Sequence, residues 1–300
     1  MTRRNTPRIS FIGFGEAGQA IASGFRDGGI DRIAAWDILF PEGDGVPLKA
    51  AAERMGVRIA SSAGDAVRDT DMIISAVTAA SSVDAAASVA PHLSGNPYYL
   101  DINSVSPGRK QETARLLGER ARYIDVAVIA AIHPARHQTP LLLSGPHAEE
   151  ISPLLHELDM RFSVVGPGLG SAAAIKMIRS VMIKGIEALT LECFLAAARA
   201  GVLEEVTASL KNNYPTLDWT KIADYNLERM ASHGERRAAE MEESAATLRE
   251  LGLDPLMVAS TVRRQREMGV LGKHAAVRQT LKSGRTAMLN AIDTVSKSRQ

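Results

Sequence analysis

The sequence predicts an α/β domain with a doubly wound, mostly parallel sheet, followed by an all-helical C-terminal domain. From Arg8 to about Val165, short apolar runs alternate with helix-period segments, as in parallel strands covered by helices on both faces. Beyond the glycine-rich segment 166–170, strand signals almost vanish. A chain of 300 residues also exceeds the usual size of one compact core. We therefore predict two domains, 1–166 and 167–300.

The N-terminal strand runs into a glycine pattern typical of dinucleotide sites. An apolar run at 9–12 is followed by G-x-G-x-x-G and then by a helix-period segment at 19–26. The first glycine permits a tight turn, the second lets a pyrophosphate approach backbone amides, and the third allows close helix–strand packing. A glycine-rich turn in another kind of α/β protein fits this context less well. The pattern predicts a Rossmann-type cofactor loop made of Gly13, Phe14, Gly15, Glu16, Ala17 and Gly18.

Other candidate ligand contacts follow the ends of later strands. Ligands of such sheets bind beyond the carboxyl ends of the strands. Asp37 ends the second strand, where its carboxylate can accept hydrogen bonds from an adenosine ribose. Strands predicted at 71–77 and 98–101 bring further residues to the same rim. We expect cofactor contacts from Val77, Thr78 and Asn103, and substrate contacts from Asn103 and Ser104.

A long helix predicted over 171–201 is rich in Ala, Ile, Leu and Met and carries Lys176 near its start. Most helical lysines are solvated, which is the alternative interpretation. A lysine in an apolar helix at a domain hinge titrates readily and suits general acid–base catalysis. Ser180 follows one turn later on the same face and is a candidate substrate ligand. The apolar surface predicts that this helix lies in a domain core or a homodimer interface.

A later helix, predicted over 219–251 with a break near 232–234, carries a charged segment. His233 and Arg237 fall on one face of it. They belong either to a solvated, salt-bridged surface or to a site for a substrate anion, because guanidinium groups suit carboxylates and phosphates.

Composition excludes several function classes. The net charge of +1 gives no electrostatic reason to expect nucleic acid or an anionic membrane as the partner. No apolar run approaches the ~18 residues of a membrane span. The single cysteine, Cys193, excludes an intrachain disulfide, and the sequence contains no clustered Cys/His pattern. We therefore predict a soluble, cytoplasmic protein with a small-molecule substrate and no metal site.

Four segments, in order and spacing, resemble the β-hydroxyacid dehydrogenase family, which contains 3-hydroxyisobutyrate dehydrogenase and 6-phosphogluconate dehydrogenase. The glycine loop matches the family's G-x-G-x-M-G, and 101–107 (DINSVSP) matches D-x-S-T-x-x-P. Segment 123–128 takes the place of D-A-P-V-S-G-G, and 170–176 matches the segment that ends in the catalytic lysine. The resemblance implies an NAD(P)-dependent dehydrogenase acting on a small 3-hydroxy acid or related alcohol or carbonyl. Lys176 would be its general acid/base.

The resemblance also bears on cofactor and substrate. An acidic Asp37, where NADP-using relatives tend to have a neutral residue followed by Arg, implies NAD, with NADP as the alternative. The family's S-G-G is replaced here by Ile129-Ala130-Ala131, so Ala130 would stand beside the substrate. Its asparagine after the lysine is Ser180, so the substrate pocket is rebuilt. The alternatives are a phosphogluconate-dehydrogenase-like enzyme, an imine-reductase-like enzyme, which often lacks the lysine, or a non-catalytic dinucleotide-binding protein.

Overall fold

The computed structural model describes residues 6–298 of a chain that divides into two compact units, Met1–Lys176 and Met177–Gln300. The boundary lies later than the predicted one at 166. It does so because the first turn of the long helix bonds to the sheet of the first unit. The Ala172 amide donates to Ser144 Oγ at 3.0 Å, and the Ala173 amide donates to Asp125 Oδ2 at 3.0 Å.

The predicted class, a Rossmann-type sheet followed by helices, is confirmed. Within the described residues the sheet has eight strands in the order β3-β2-β1-β4-β5-β6-β7-β8. All neighbouring strands are parallel except β6 and β7, which are antiparallel. The strands are β1 (Ile9–Ile12), β2 (Ile33–Trp36), β3 (Arg58–Ile59), β4 (Met72–Ser75), β5 (Tyr98–Asp101), β6 (Arg122–Val128), β7 (Leu141–Ser144) and β8 (Phe162–Val164).

The helices of the first unit cover this sheet and leave its central strands buried. They are α1 (Glu16–Asp27), α2 (Val46–Arg54), α3 (Ala63–Ala66), α4 (Ser82–Val89), α5 (Pro107–Leu117) and α6 (Ser152–Glu157). Every residue of β1 and β4 is buried, as expected for parallel strands with helices on both faces. The strand order reverses between these two strands, so a ligand crevice is expected at their carboxyl ends.

The second unit is helical, as predicted. Its first helix, α7 (Ser171–Ala200), begins in the first unit. The others are α8 (Leu203–Asn213), α9 (Trp219–Glu250), α10 (Leu256–Leu271), α11 (Ala275–Arg278) and α12 (Arg285–Lys297). Large apolar side chains from these helices share one core, among them Leu191, Phe194, Leu227, Met230, Met268 and Leu289. Between residues 6 and 298 no helix is both long and apolar enough to cross a bilayer.

The break predicted near 232–234 is wrong, because α9 runs without interruption through Gly234. This glycine serves helix packing. A Cβ at Gly234 would lie 2.3 Å from the Gln265 carbonyl oxygen, and one at Gly269 would lie 2.4 Å from the Glu235 amide. The two glycines therefore let the backbones of α9 and α10 approach closely, and the local sequence signal for a turn is overridden by a tertiary contact.

Candidate active site

The glycine loop between β1 and α1 has the geometry of a dinucleotide cradle. Gly13 has φ +90°, and a Cβ there would lie 2.4 Å from the Ala76 carbonyl oxygen. A Cβ on Gly18 would lie 2.7 Å from the Gly13 carbonyl oxygen. A Cβ on Gly15, the residue before α1, would meet no atom within 4 Å. Gly13 and Gly18 are therefore needed by the turn itself, whereas Gly15 leaves open space at the helix N-terminus, where a pyrophosphate fits.

This difference predicts opposite effects for two matched substitutions. Gly13→Ala combines backbone strain with a steric clash and should lower the free energy of unfolding by about 3 kcal/mol. Gly15→Ala should leave the melting temperature unchanged and weaken dinucleotide binding about tenfold, since the added methyl group fills the cradle. Thermal unfolding and fluorescence titration with NADH measure the two effects. Wild-type affinity in Gly15→Ala would show that the pyrophosphate does not lie over this loop.

Asp37 lies beside the loop at the end of β2. Its Oδ2 accepts a hydrogen bond from the Phe14 amide at 2.7 Å, and its Oδ1 accepts one from the Leu39 amide at 3.0 Å. A carboxylate offers about four acceptor positions, so both oxygens can still accept from ribose hydroxyls. Ile38, the next residue, is 80% exposed and brings no positive charge to this position. The local charge therefore disfavours a 2′-phosphate.

The predicted rim residues after β4 and β5 have different roles. Val77 is half-buried and Thr78 is exposed, so both can face a ligand. Asn103 is only 4% exposed, and its Oδ1 accepts from the Val77 amide at 2.7 Å while its Nδ2 donates to Ser75 Oγ at 3.0 Å. Its amide therefore joins the ends of two strands. These hydrogen bonds give the side chain a positioning role, and its contacts with cofactor and substrate stay predictions.

Lys176 and Ser104 are far apart in the sequence but contact each other in the first unit. Lys176 Nζ donates to Ser104 Oγ at 2.5 Å, and both residues are half-buried. Gly170 allows this approach, since it has φ +93° and a Cβ there would lie 2.9 Å from Pro107 Cβ. The start of α7 can thus pack against the start of α5. An amine bonded to a hydroxyl at a partly open position can exchange a proton with a bound alcohol or carbonyl.

Sequence reasoning missed the buried charges beside this pair. Asp101 and Asp125 are opposite each other on β5 and β6, and Lys110 of α5 lies between them. All three side chains are at most 1% exposed. The available signal was the position of two acidic residues inside apolar strands, since buried carboxylates require a cation or several donors.

The residue in the place of the family's Ser-Gly-Gly segment offers little chemistry. Ala130 lies in the exposed stretch after β6 and has no polar side-chain atom. Any polar contact with a substrate at this position must therefore come from the backbone.

The candidates of the second unit are largely used by internal contacts. Ser180 is buried and accepts a hydrogen bond from Lys184 Nζ at 3.1 Å, and Lys184 also pairs with Glu240 at 3.0 Å. Arg237 is buried and ion-paired with Glu187, its Nε lying 2.9 Å from Glu187 Oε2. This pair compensates a carboxylate that is 1% exposed and gives Arg237 an internal role, and its substrate contact stays a prediction.

His233 is half-buried, and its environment disfavours the charged imidazolium. Burial lowers its pKa, and the positive charges of nearby Arg229 and Arg236 lower it further. A neutral imidazole has little electrostatic attraction for an anion at pH 7. A substrate contact of His233 stays a prediction, and it would be made through a hydrogen bond of the neutral ring.

Two family models match the chain. A model described as the NAD binding domain of 6-phosphogluconate dehydrogenase matches residues 8–166. A second model, described only as a domain of unknown function, matches residues 197–268. The first model covers the glycine loop, Asp37 and the strand-end residues described above.

Solved structures agree with this match. A conserved hypothetical protein from Sinorhizobium meliloti 1021 is 35% identical, with 96% of each chain covered and a TM-score of 0.79. A conserved protein of unknown function, described as structurally similar to 3-hydroxyacid dehydrogenases, is 31% identical, with 87% of this chain and 96% of that one covered and a TM-score of 0.70. The 3-hydroxyisobutyrate dehydrogenase of Mycobacterium tuberculosis is 14% identical, with 97% and 99% covered and a TM-score of 0.69, and shares the fold.

Proposed function

Because this chain belongs to the family defined by the NAD binding domain of 6-phosphogluconate dehydrogenase, we propose that it is a nicotinamide-dependent oxidoreductase with Lys176 as its general acid/base. Its substrate class is a small 3-hydroxy acid or a related alcohol or carbonyl. The observation that carries the proposal is the Lys176–Ser104 contact at 2.5 Å, since it joins the amine of an α7 lysine to the loop that follows β5 in a dinucleotide-binding unit. The substrate class is supported by a solved structure that is 31% identical to this chain and is described as structurally similar to 3-hydroxyacid dehydrogenases.

The proposed chemistry divides into hydride and proton transfer. A bound nicotinamide supplies the hydride chemistry, and the protein supplies position and the proton. In alcohol oxidation, neutral Lys176 Nζ accepts the hydroxyl proton, and in carbonyl reduction the ammonium form donates it. Ser104 orients the amine through its hydroxyl. General acid–base catalysis of this kind contributes about 10²–10⁴-fold to a rate.

We infer that NAD is the preferred cofactor. Asp37 lies at the end of β2 with spare acceptor capacity for ribose hydroxyls, and no arginine follows it. A 2′-phosphate at this position would face the carboxylate and would lose affinity through repulsion.

A substrate panel tests the proposed function. The purified protein is incubated with 3-hydroxy acids, polyol acids and aldehydes, each with NAD or NADP in the matching oxidation state, and nicotinamide absorbance is followed. We expect turnover of at least one class, with NAD the better cofactor. Dinucleotide binding without turnover of any class would favour the alternative of a non-catalytic dinucleotide-binding protein.

We also propose a homodimer formed through α7. In the second unit this helix exposes Met182, Ile186 and Leu189 at a spacing that places them on one face. Together with Met257 of α10 they line a groove of about 660 Å³. Arg264, paired with Glu192 at 2.8 Å, forms part of its charged edge. An apolar groove with a polar rim is typical of a protein–protein interface, and helical spacing suits a second copy of the same helix.

Charge introduced into this groove should separate the dimer. The double substitution Met182→Lys and Leu189→Lys is expected to give a monomer at micromolar concentration, because two cations would face an apolar partner surface. Light scattering measures the mass. Tyr225→Lys is the matched control, since Tyr225 is an exposed apolar residue of α9 outside the groove. A monomeric wild-type protein, or a dimer that persists in the double variant, would contradict the proposal.

A further inference from the structure

A buried charge network connects the two segments that carry Ser104 and Lys176. Its centre is Lys110, whose Nζ lies 3.0 Å from Asp101 Oδ1 and 3.5 Å from Asp125 Oδ1. Lys110 Nζ also donates to the Asp101 carbonyl oxygen at 2.5 Å. Two acids thus share one cation in a water-poor interior, and hydrogen-bond donors complete the stabilisation of both carboxylates. Removing Lys110 would leave two buried carboxylates without the cation that they share, so the position of its amine between them is strongly constrained.

The first arm of the network fixes the loop that carries Ser104. Asp101 Oδ1 accepts a hydrogen bond from the backbone amide of Asn103 at 3.0 Å, and Asp101 Oδ2 accepts one from the Tyr123 hydroxyl at 2.8 Å. The backbone is therefore held at the residue before Ser104. The Asn103 side chain holds the same loop to the end of β4. The position of the Ser104 hydroxyl thus depends on the buried carboxylate of Asp101.

The second arm fixes the start of the helix that carries Lys176. Asp125 Oδ2 accepts from Ser144 Oγ at 2.9 Å and from the Ala173 amide at 3.0 Å. Ser144 Oγ in turn accepts from the Ala172 amide at 3.0 Å. Amides in the first turn of a helix lack partners within the helix, and a carboxylate is favoured at this end. The two side chains therefore act as a cap supplied by β6 and β7.

We propose that this network is a positioning device that sets the contact between Ser104 and Lys176. Lys110, Asp125 and Ser144 are then positioning residues of the active site, a role that rests on the proposed function of Lys176. The acids lie opposite each other on neighbouring strands, so the sheet itself provides a rigid base for both arms. Such support matters because a displacement of about 1 Å at a reacting group can cost about a hundredfold in rate. An ordinary structural ion pair would stabilise the fold without controlling the amine of Lys176.

A comparison of two buried serines separates these possibilities. Ser144→Ala removes the hydroxyl that holds the Ala172 amide. Ser10→Ala, the matched control, removes a buried hydroxyl that donates to the Ala66 carbonyl oxygen at 2.6 Å and bonds to Thr70 at 3.0 Å. Both should lower the melting temperature to a similar extent. Only Ser144→Ala should change the reactivity of the Lys176 amine.

The readout is acylation of lysine amines by an acetylating reagent, followed by mass spectrometry. Lys176 is compared with Lys221, whose side chain is 85% exposed, within the same sample. We expect the Lys176/Lys221 labelling ratio to rise about fivefold in Ser144→Ala and to stay unchanged in Ser10→Ala, since loss of a helix cap loosens the first turn. Hydrogen exchange at the Ala172 and Ala173 amides should accelerate by a similar factor.

Asp125→Asn keeps the volume of the side chain and provides the second variant if Ser144→Ala does not fold. It should raise the same ratio, and it should lower kcat without changing the dinucleotide Kd. An unchanged ratio in a folded variant, or an equal rise in Ser10→Ala, would overturn the proposal. The labelling experiment needs no substrate. It therefore tests positioning independently of the proposed function. Retained turnover in a Lys176 variant would refute the proposed role of Lys176 in catalysis, and it would leave the labelling result unaffected.

Discussion

Replacement of Lys176 by Ala is expected to reduce turnover by about a hundredfold or more and to leave the dinucleotide Kd unchanged. The substitution removes the amine that donates to Ser104 Oγ, and with it the proposed proton donor and acceptor. The glycine loop and Asp37, which are the proposed cofactor contacts, are untouched. Steady-state kinetics with the best substrate of the panel give kcat, and NADH fluorescence gives the Kd. Unchanged turnover would refute the assigned mechanism.

Lys176→Arg is the matched control because it retains a positive charge and hydrogen-bond donors. A guanidinium stays protonated at any working pH, so it cannot accept the proton of an alcohol. We therefore expect this variant to lose turnover almost as completely as Lys176→Ala. Substantial activity in Lys176→Arg would assign Lys176 an electrostatic role in place of proton transfer. Lys221→Ala, which removes an exposed lysine of α9, should behave as wild type.

The parts of the fold that local sequence determines could be predicted. The G-x-G-x-x-G turn needs positive φ at Gly13 and no Cβ at Gly18, and both requirements are visible in the residue types. The runs that form β1, β4 and β5 are apolar enough to be identified alone. The rim that they share follows from general rules for parallel sheets, so the glycine loop and the strand ends could be assigned to one edge of the sheet from the sequence.

Long-range pairing could not be predicted in the same way. Asp125 and Ser144 meet because β7 reverses direction beside β6, and no local pattern marks that reversal. Arg237 is paired with Glu187, fifty positions earlier in the sequence, whereas sequence spacing shows only neighbours on its own helix. Asn103 follows a strand as a ligand contact would, yet its amide is used between strands. In each case a buried partner decides the role of a polar side chain.

The substitution Asp37→Asn is expected to lower the preference for NAD over NADP by about a hundredfold, because it removes the negative charge that a 2′-phosphate would face. The asparagine oxygen can still accept a hydrogen bond from the Phe14 amide, so the glycine loop should keep its conformation. Affinity for NAD should fall only modestly, since one ribose acceptor is replaced by a donor. Fluorescence titration of NADH and NADPH against the same protein preparation measures both constants.

Asp37→Ala separates the charge from the support of the loop. It removes the carboxylate and also leaves the Phe14 amide without the acceptor that lies 2.7 Å away. Both dinucleotides should therefore bind this variant less tightly than they bind Asp37→Asn, while the ratio between them shifts in the same direction. If Asp37→Asn binds NADPH no better than the wild type does, the carboxylate does not face the 2′-position. Its function would then be limited to holding the glycine loop, and any preference for NAD would have to arise elsewhere on the adenosine side of the site.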